Sequence, residues 1–156
     1  RPLPTEFGDF QLHVYREANN DGVHIALVKG SLNDTSVPTV RVHAINPLRD
    51  LLHARFNGRL GWNMQRSLKA ISEAESGVLV LLSQDYRAAD MIDHIEGFVA
   101  DRPRAAEASG MYRTIGVGSQ ILRDLGVTKM RLLSSPMKFN ALSGFGLEIV
   151  EYITTD

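Results

Sequence analysis

Of the residue types that most often perform chemistry in enzymes, cysteine is missing from this sequence, and the histidines form no familiar catalytic cluster. The chain has five histidines and no cysteine. Without thiolates it has no cysteine nucleophile, no iron–sulfur cluster, no disulfide and no zinc site built on sulfur. The histidines form no H-x-x-x-H pair, and no P-loop, G-x-S-x-G or G-x-G-x-x-G motif occurs. The familiar sequence patterns of metal-dependent and nucleophilic catalysis are therefore absent.

His43 is the histidine best placed for catalysis, because it lies where a predicted strand ends and functional residues collect at such places. Metal-free chemistry would need a base, and Asp85 and Tyr86 are the other candidates. None of the three has a partner at a fixed spacing, so a hydrogen-bonded or exposed histidine is the simpler interpretation of His43. His13 and His24 are expected to face each other, or solvent, across a hairpin.

Arginine supplies most of the positive charge. Only four of the 17 basic residues are lysines, and guanidinium groups suit bidentate binding of carboxylate or phosphate, although a GC-rich genome produces the same bias. The net charge of −1 gives no overall attraction to nucleic acid or to an anionic membrane. No apolar run approaches the roughly 20 residues that a spanning helix needs. We therefore expect neither a nucleic-acid nor a membrane partner.

The elements that would position a site follow from hydrophobic periodicity. Alternating apolar residues predict strands at Phe7–Val14, Val23–Lys29 and Val37–Ile45, and the first two form a hairpin. The continuous apolar run Gly77–Leu82 predicts a strand covered on both faces. The remaining expected elements are a short helix from Pro47 that ends at Asn57-Gly58, a helix at Asn63–Glu75, a helix followed by a mobile loop within Gln84–Gly110, a helix at Thr114–Leu125, a strand at Lys129–Leu133, a short helix at Pro136–Leu142 and a strand at Leu147–Ile153.

This order predicts an α/β domain with a mixed sheet, in which antiparallel N-terminal strands precede a βαβαβ C-terminal part flanked by helices. The 156 residues are the length of one ordinary domain, so residues 1–156 are expected to form a single unit. Because the chain starts at Arg1 instead of methionine, Arg1–Pro4 is interpreted as the remains of a linker, and the domain as one excised from a longer fusion protein. Gly116-Val117-Gly118 is interpreted as a close-packing device.

Several separate blocks of the sequence resemble one enzyme family. The longest is RTIGVGSQILRDLGVTKMRLL at Arg113–Leu133, followed by SSPMK at Ser134–Lys138. The others are LPTEFGDF at Leu3–Phe10 and VRVH at Val40–His43. Together they resemble GTP cyclohydrolase II, which opens the guanine ring in the first step of riboflavin synthesis. The resemblance covers nearly the whole chain and implies the fold of that family.

The catalytic residues of that family are mostly missing here. The resemblance implies a zinc ion held by three cysteines, one just after the R-V-H strand and two in a C-x-C pair. This chain has Asn46 after the strand and Arg55–Arg59 in the C-x-C region. Met111 stands where the family has its proton-accepting aspartate and Ile115 where it has a tyrosine, whereas Arg113 matches the catalytic arginine. Because an arginine is always protonated and is not a base, we expect no intact catalytic set, no metal and no cofactor in this domain.

Nucleotide-binding positions survive in part. By the same resemblance, Arg41 matches the arginine of R-V-H, Arg87 that of the family's E-G-R, and Lys138 the lysine of its N-P-x-K. Ser134 replaces a threonine hydroxyl, and Arg113 adds another cation. These five residues are expected to be the remnant of a cleft that binds phosphate or a nucleotide.

Some of these residues also have a purely structural interpretation. Arg41 lies on a strand and can pair with a surface carboxylate such as Glu148 or Glu151. Lys138 can be solvated early in a helix, and Arg113 can hold neighbouring loops together by hydrogen bonds. The sequence leaves both interpretations open.

The resemblance implies two alternative functions. In the first, the chain is a catalytically inactive GTP cyclohydrolase II-like domain that supports a 3,4-dihydroxy-2-butanone 4-phosphate synthase domain, which precedes it in the same chain. The synthase is then the enzyme of the parent protein, a lyase, and Mg²⁺ is expected only there. In the second, the remnant cleft senses phosphate or a nucleotide and regulates the synthase. The family also implies a homodimer, and the lack of cysteine fits a reducing cytoplasm.

Overall fold

A computed structural model gives the arrangement of these elements. It describes residues 1–19, 22–33, 35–83, 92, 95, 96, 105–134 and 145–155, with the backbone alone for 105–114. The described strands are β1 Pro2–Thr5, β2 Gly8–Arg16, β3 Val23–Lys29, β4 Thr39–Ala44, β5 Gly77–Leu82, β6 Lys129–Leu133 and β7 Glu148–Ile153. The described helices are α1 Pro47–Asp50, α2 Met64–Glu73 and α3 Ala105–Asp124.

The strands form one mixed sheet, as predicted. Its strand order is β1-β2-β3-β5-β4-β6-β7. The pairs β1–β2, β2–β3 and β3–β5 are antiparallel, whereas β5–β4, β4–β6 and β6–β7 are parallel. β5 therefore joins the antiparallel half of the sheet to the parallel half. Its residues Val78, Leu79 and Val80 are all buried, which is why this strand is a continuous apolar run.

Side chains alternate along the strands between two cores, one on each face of the sheet. α2 covers one face, where the buried core consists of Phe10, Leu27, Ile71, Leu79 and Leu133. The core on the face covered by α3 consists of Ala26, Val28, Val40, Val78, Val80, Leu82, Ile121, Leu122, Val127, Met130, Leu132 and Leu147. No helix in the described ranges is both long and apolar enough to cross a membrane.

The first residues form a strand, so their interpretation as the remains of a linker is wrong. β1 pairs with β2 along its whole length. The backbones of Arg1 and Leu12 exchange two hydrogen bonds, at 3.0 and 2.6 Å. Alternation along the strand then directs the nitrogen atoms of Pro2 and Pro4 to the open edge of the sheet, where a missing N–H costs no ladder hydrogen bond.

α3 is longer than predicted. It begins at Ala105, so the expectation of a mobile loop is wrong for residues 105–110. That stretch reads AAEASG, and alanine is the strongest helix former. Apart from residues 92, 95 and 96, the earlier part of the segment expected to be a helix and a loop lies outside the described residues, as does the predicted helix at Pro136–Leu142.

α1 is shorter than predicted. It ends at Asp50 and does not continue to Asn57-Gly58. Beyond it the backbone of His53 adopts a positive φ of 53°, which no continuing right-handed helix allows. The start of α2 is as predicted, because Oδ1 of Asn63 accepts a 2.9 Å hydrogen bond from the backbone nitrogen of Arg66 and so caps the helix.

Gly118 allows α3 to lie directly on the sheet. A Cβ atom added to Gly118 would be 2.8 Å from Cγ1 of Val42 on β4, whereas one added to Gly116 would meet nothing within 4 Å. The close-packing role is therefore confirmed for Gly118 and not for Gly116.

Alanine should have opposite effects at these two glycines. Gly118→Ala presses a methyl group against Val42 and should lower the free energy of unfolding by about 1–2 kcal/mol. Gly116→Ala adds helix propensity without a clash and should raise the free energy of unfolding by up to about 1 kcal/mol. Urea unfolding of both variants measures the difference, and equal effects at the two positions would contradict this packing.

Candidate functional site

β4 presents Arg41 and His43 near its carboxyl end. Being two residues apart on a strand, they share one face of the sheet. The Nε atom of Arg41 donates a 3.3 Å hydrogen bond to Nδ1 of His43, and its Nη1 donates a 3.1 Å bond to the backbone oxygen of Leu133 on β6. The guanidinium is thus held between its own strand and the neighbouring parallel strand.

Arg41 stays cationic at neutral pH although its side chain is partly buried. Burial lowers the pKa of the guanidinium to about 10, the charge of Asp50 opposes this shift, and the charge of Arg49 adds to it. A guanidinium that is charged, partly buried and hydrogen-bonded on two sides serves the fold, whether or not it also binds an anion.

The surface carboxylates that we considered as partners of Arg41 bind other residues. Glu148 lies 3.9 Å from Nζ of Lys129, and Glu151 lies 3.3 Å from Nε of Arg131. The interpretation of Arg41 as the partner of either carboxylate is therefore wrong, because the Arg41 side chain is directed towards His43 and β6 instead.

His43 is a buried residue with both ring nitrogens hydrogen-bonded. Its side chain is only 3% exposed, and Nε2 lies 2.8 Å from Oδ2 of Asp50. Because Nδ1 accepts the Arg41 hydrogen bond, the ring proton lies on Nε2 and is donated to Asp50. The simpler interpretation of His43, a satisfied histidine, is confirmed.

His24 is the second buried histidine, and it does not face His13. In the ladder between β2 and β3, His13 lies opposite Ala26 and His24 lies opposite Tyr15. Nε2 of His24 is 2.9 Å from Oε1 of Glu17. This histidine therefore fastens the β2–β3 hairpin and contributes nothing to the site at β4.

The carboxylate of Asp50 accepts the hydrogen bonds that connect the other parts of the site. Its Oδ2 accepts hydrogen bonds from Nε2 of His43 at 2.8 Å and from the backbone nitrogen of Asn46 at 2.9 Å. Its Oδ1 accepts a 2.8 Å bond from the backbone nitrogen of Met64, the first residue of α2. Burial alone would raise the pKa of this carboxyl group, but the hydrogen bonds from His43, Asn46 and Met64 outweigh it, so the pKa lies below its ordinary value.

Asn46, which follows β4 where the family has a cysteine, caps a helix. Its Oδ1 accepts hydrogen bonds from the backbone nitrogens of Leu48 and Arg49 at 3.1 and 3.2 Å. Pro47 follows at the first position of α1, where its missing N–H is not needed. The side-chain oxygen of Asn46 is therefore used within the loop.

The C-x-C region of the family is a tight turn in this chain. Phe56 and Arg59 exchange two backbone hydrogen bonds, at 2.8 and 2.9 Å. Asn57 and Gly58 between them have φ of 49° and 73°, the positive values that a two-residue hairpin turn requires. The guanidinium of Arg49 stacks on the Phe56 ring, 5.5 Å from its centroid.

These residues do not fit the zinc ion that the family implies. Asn46 offers an amide oxygen that is already occupied, and the turn offers an arginine and a backbone hairpin in place of two thiolates. Across the described ranges, no three His, Asp or Glu side chains are grouped so that they could hold a metal ion. The donors that zinc prefers are therefore not supplied here.

The five predicted phosphate-binding residues are only partly located. Arg41 contacts the backbone of Leu133, which brings its side chain to the residue preceding Ser134. Arg113 lies on α3 with its backbone alone described, as does Met111, and Arg87 and Lys138 lie outside the described residues. Arg41 and Ser134 are thus the two predicted residues that the described part of the chain brings close together.

Asp50 is the site residue that the sequence did not single out. An aspartate after Asn-Pro in a polar stretch looks like an ordinary residue of a helix's first turn. One signal was available, since Asp50 is the only carboxylate between Arg41 and Arg66, a segment that contains five arginines. A lone acid in so basic a segment is a natural partner for a buried cation.

Comparisons with known proteins identify the family of this chain. The family model described as GTP cyclohydrolase II matches residues 1–154. A 3,4-dihydroxy-2-butanone 4-phosphate synthase from Pseudomonas aeruginosa is 44% identical over 156 residues, which are 100% of this chain and 42% of that protein. The riboflavin biosynthesis protein RibBA from Parabacteroides distasonis is 33% identical over 160 residues, covering 97% of this chain and 39% of that protein.

A solved structure shows the same fold. It is RibBX from A. baumannii, described as a two-domain 3,4-dihydroxy-2-butanone 4-phosphate synthase, and it is 45% identical to this chain with a TM-score of 0.70. The match covers 100% of this chain and 39% of that one, so the chain spans about two fifths of the length of the proteins it matches. With a family match from residue 1 to residue 154 and a shared fold, this chain belongs to the GTP cyclohydrolase II family.

Proposed function

We propose that this chain is the GTP cyclohydrolase II-like domain of a riboflavin biosynthesis protein, and that it does not itself hydrolyse GTP. The observation that carries the proposal is the segment 46–59, where the family's zinc ligands would lie. Asn46 uses its side chain to cap α1, and Phe56 and Arg59 close a turn on themselves. This segment offers no thiolate, and none of its side chains belongs to a group of three His, Asp or Glu in the described residues that could hold a metal and activate a water molecule for attack on a purine ring.

The residues on α3 support the same proposal. Met111 stands at the position of the family's aspartate, and a thioether does not take up a proton at neutral pH. Ile115 stands at the position of a tyrosine and has no hydroxyl group. Arg113 can stabilise a negative charge but cannot remove a proton. The proton transfers of the hydrolytic reaction therefore have no agent among these three positions.

We further propose that the domain supports a 3,4-dihydroxy-2-butanone 4-phosphate synthase domain that precedes it in the same polypeptide. This chain covers only 42% of the length of the relative of that name from Pseudomonas aeruginosa, and RibBX is described as a two-domain synthase. A folded domain without a reaction of its own can stabilise its neighbour or hold two copies together. In this proposal the synthase is the lyase, Mg²⁺ is needed only there, and the protein is a cytoplasmic homodimer.

A second candidate function is a module that senses phosphate or a nucleotide. The observation in its favour is Arg41, which stays cationic and reaches the backbone next to Ser134. In this proposal Arg87, Arg113 and Lys138 complete the cleft, and binding there regulates the synthase.

The parent protein should release no formate from GTP. GTP must be the only substrate, because the synthase reaction also yields formate. We expect neither formate nor ring-opened product above a protein-free control, with or without added zinc, because the chain has no cysteine to hold zinc and Met111 replaces the family's aspartate. A GTP cyclohydrolase II that has its three cysteines, assayed in parallel, should give both products. Formate release by this protein would overturn the proposal that it is inactive.

Weakening this domain should make the synthase more sensitive to heat. In the parent protein, Gly118→Ala should lower the temperature at which half of the synthase activity is lost, by about 2–4 °C for each kcal/mol of destabilisation. Gly116→Ala is the matched control and should not lower it. The measurement is residual synthase activity after heating. An unchanged temperature in a Gly118→Ala protein whose domain is measurably destabilised would contradict the supporting role.

The sensing function predicts binding that calorimetry can detect. Phosphate, GMP, GTP and FMN are titrated separately into the parent protein, and binding in the millimolar range or tighter is expected for at least one of them. Lys138→Met and Arg87→Met should weaken that binding about tenfold each, because each removes a cation from the cleft. Absence of heat with all four ligands, or binding that both variants leave unchanged, would exclude this function.

A further inference from the structure

We infer that the carboxylate of Asp50 is the clasp that fixes segment 46–63 to the sheet, so that this part of the domain folds without a metal. The segment connects β4 to α2, and its only helix is the single turn α1. A metal held by ligands from separate parts of such a segment would tie those parts together. The inference concerns folding and holds whether or not the proposed function is correct.

Asp50 acts on both ends of the segment at once. Oδ2 binds His43 of β4 and the backbone nitrogen of Asn46, where the segment begins. Oδ1 binds the backbone nitrogen of Met64, where the segment ends, and the backbone oxygen of Asp50 accepts a 2.7 Å hydrogen bond from Nε2 of Gln65. The Met64 N–H is one of the donors that a helix leaves unpaired in its first turn, and a negative charge there also interacts favourably with the helix dipole.

The buried charge of Asp50 is compensated from the elements packed against it. Arg41 and His43 face it from β4, and Arg49 adds a positive charge from α1. Arg41 donates to His43 and His43 donates to Asp50, so the guanidinium polarises the imidazole towards the carboxylate. Removing the carboxylate would leave these donors unsatisfied and the cations without their counter-charge, which is strongly destabilising.

The rest of the segment is held by contacts between its own residues and by one hydrogen bond to β7. Phe56 and Arg59 form the turn, and Arg49 stacks on the Phe56 ring. Further along, Nε1 of Trp62 donates a 2.9 Å hydrogen bond to the backbone oxygen of Ile153 on β7. These contacts give the segment its local shape, and Asp50 connects that shape to β4 and α2.

Trp62 allows the inference to be tested directly. It is the single tryptophan of the chain and lies inside the segment, so its fluorescence reports release of the segment, while far-ultraviolet circular dichroism reports the whole fold. The proteins to compare are the wild-type chain, Asp50→Asn, Asp50→Ala and Glu73→Gln. Glu73 is an exposed carboxylate on α2 and serves as the matched control.

We expect the wild-type chain to keep its Trp62 emission maximum and its melting temperature in the presence of a strong chelator and of added zinc. In Asp50→Asn, the emission should shift to the red, and the backbone amides of Asn46 and Met64 should exchange with solvent at least about tenfold faster than in the wild type. Asp50→Ala should show a larger effect, and Glu73→Gln should behave as the wild type.

Two results would overturn the inference. One is loss of structure on chelation, or a rise in melting temperature with zinc, because either would mean that a metal fastens the segment. The other is an Asp50→Asn protein with unchanged Trp62 emission and unchanged amide exchange. If neither Asp50 variant folds, amide exchange of the wild type decides, because the Met64 amide must then be protected like those of the core strands. Free exchange of that amide in the folded wild type would refute the clasp.

Discussion

An ionised carboxylate inside a protein must have both of its oxygens satisfied, and this requirement shapes the site around Asp50. Removing such a group from water costs several kcal/mol, and Asp50 recovers this cost only because three donors lie between 2.8 and 2.9 Å from its oxygens. Because Arg41 donates to Nδ1 of His43, the ring proton lies on Nε2, from which it is donated to Asp50. Arg41 is thus connected to the Asp50 carboxylate through His43.

The two cores of the sheet that carries this site consist of apolar residues outside the site. Its centre is the apolar strand β5, flanked by an antiparallel neighbour on one side and a parallel one on the other. Its faces are covered by α2 and by α3, which lies close to β4 because Gly118 has no side chain to meet Val42. The carboxyl ends of the parallel strands form one edge, where α/β proteins commonly place their sites. The apolar cores do not specify which polar residues stand at that edge, and for this reason a fold by itself does not establish a reaction.

Much of the fold could be predicted from the sequence, because most strands are marked by periodicity in the chain itself. β1 was missed because prolines at positions 2 and 4 are typical of linkers, and only the pairing shows that both face the open edge. The position of β5 between β3 and β4 was not predicted either, since strand order depends on contacts far apart in the chain. For the site, a family motif indicated Arg41, but no motif indicated Asp50. The function of Asp50 arises from three donors that the fold brings together.

The hydrogen bonds of Arg41 also change how its match to the family motif is interpreted. Arg41 matches a nucleotide-binding arginine of the family, and its presence alone would suggest that an anion still binds there. In this structure Arg41 joins β4 to β6 through Leu133 and holds His43 in the tautomer that Asp50 needs. The fold therefore has its own reason to keep an arginine at this position, even in a protein that binds no nucleotide. Lys138 is matched to a lysine of the family by the sequence alone and lies outside the described residues. A substitution at Lys138, more than one at Arg41, therefore distinguishes a cleft that still binds phosphate from a scaffold that has only kept its fold.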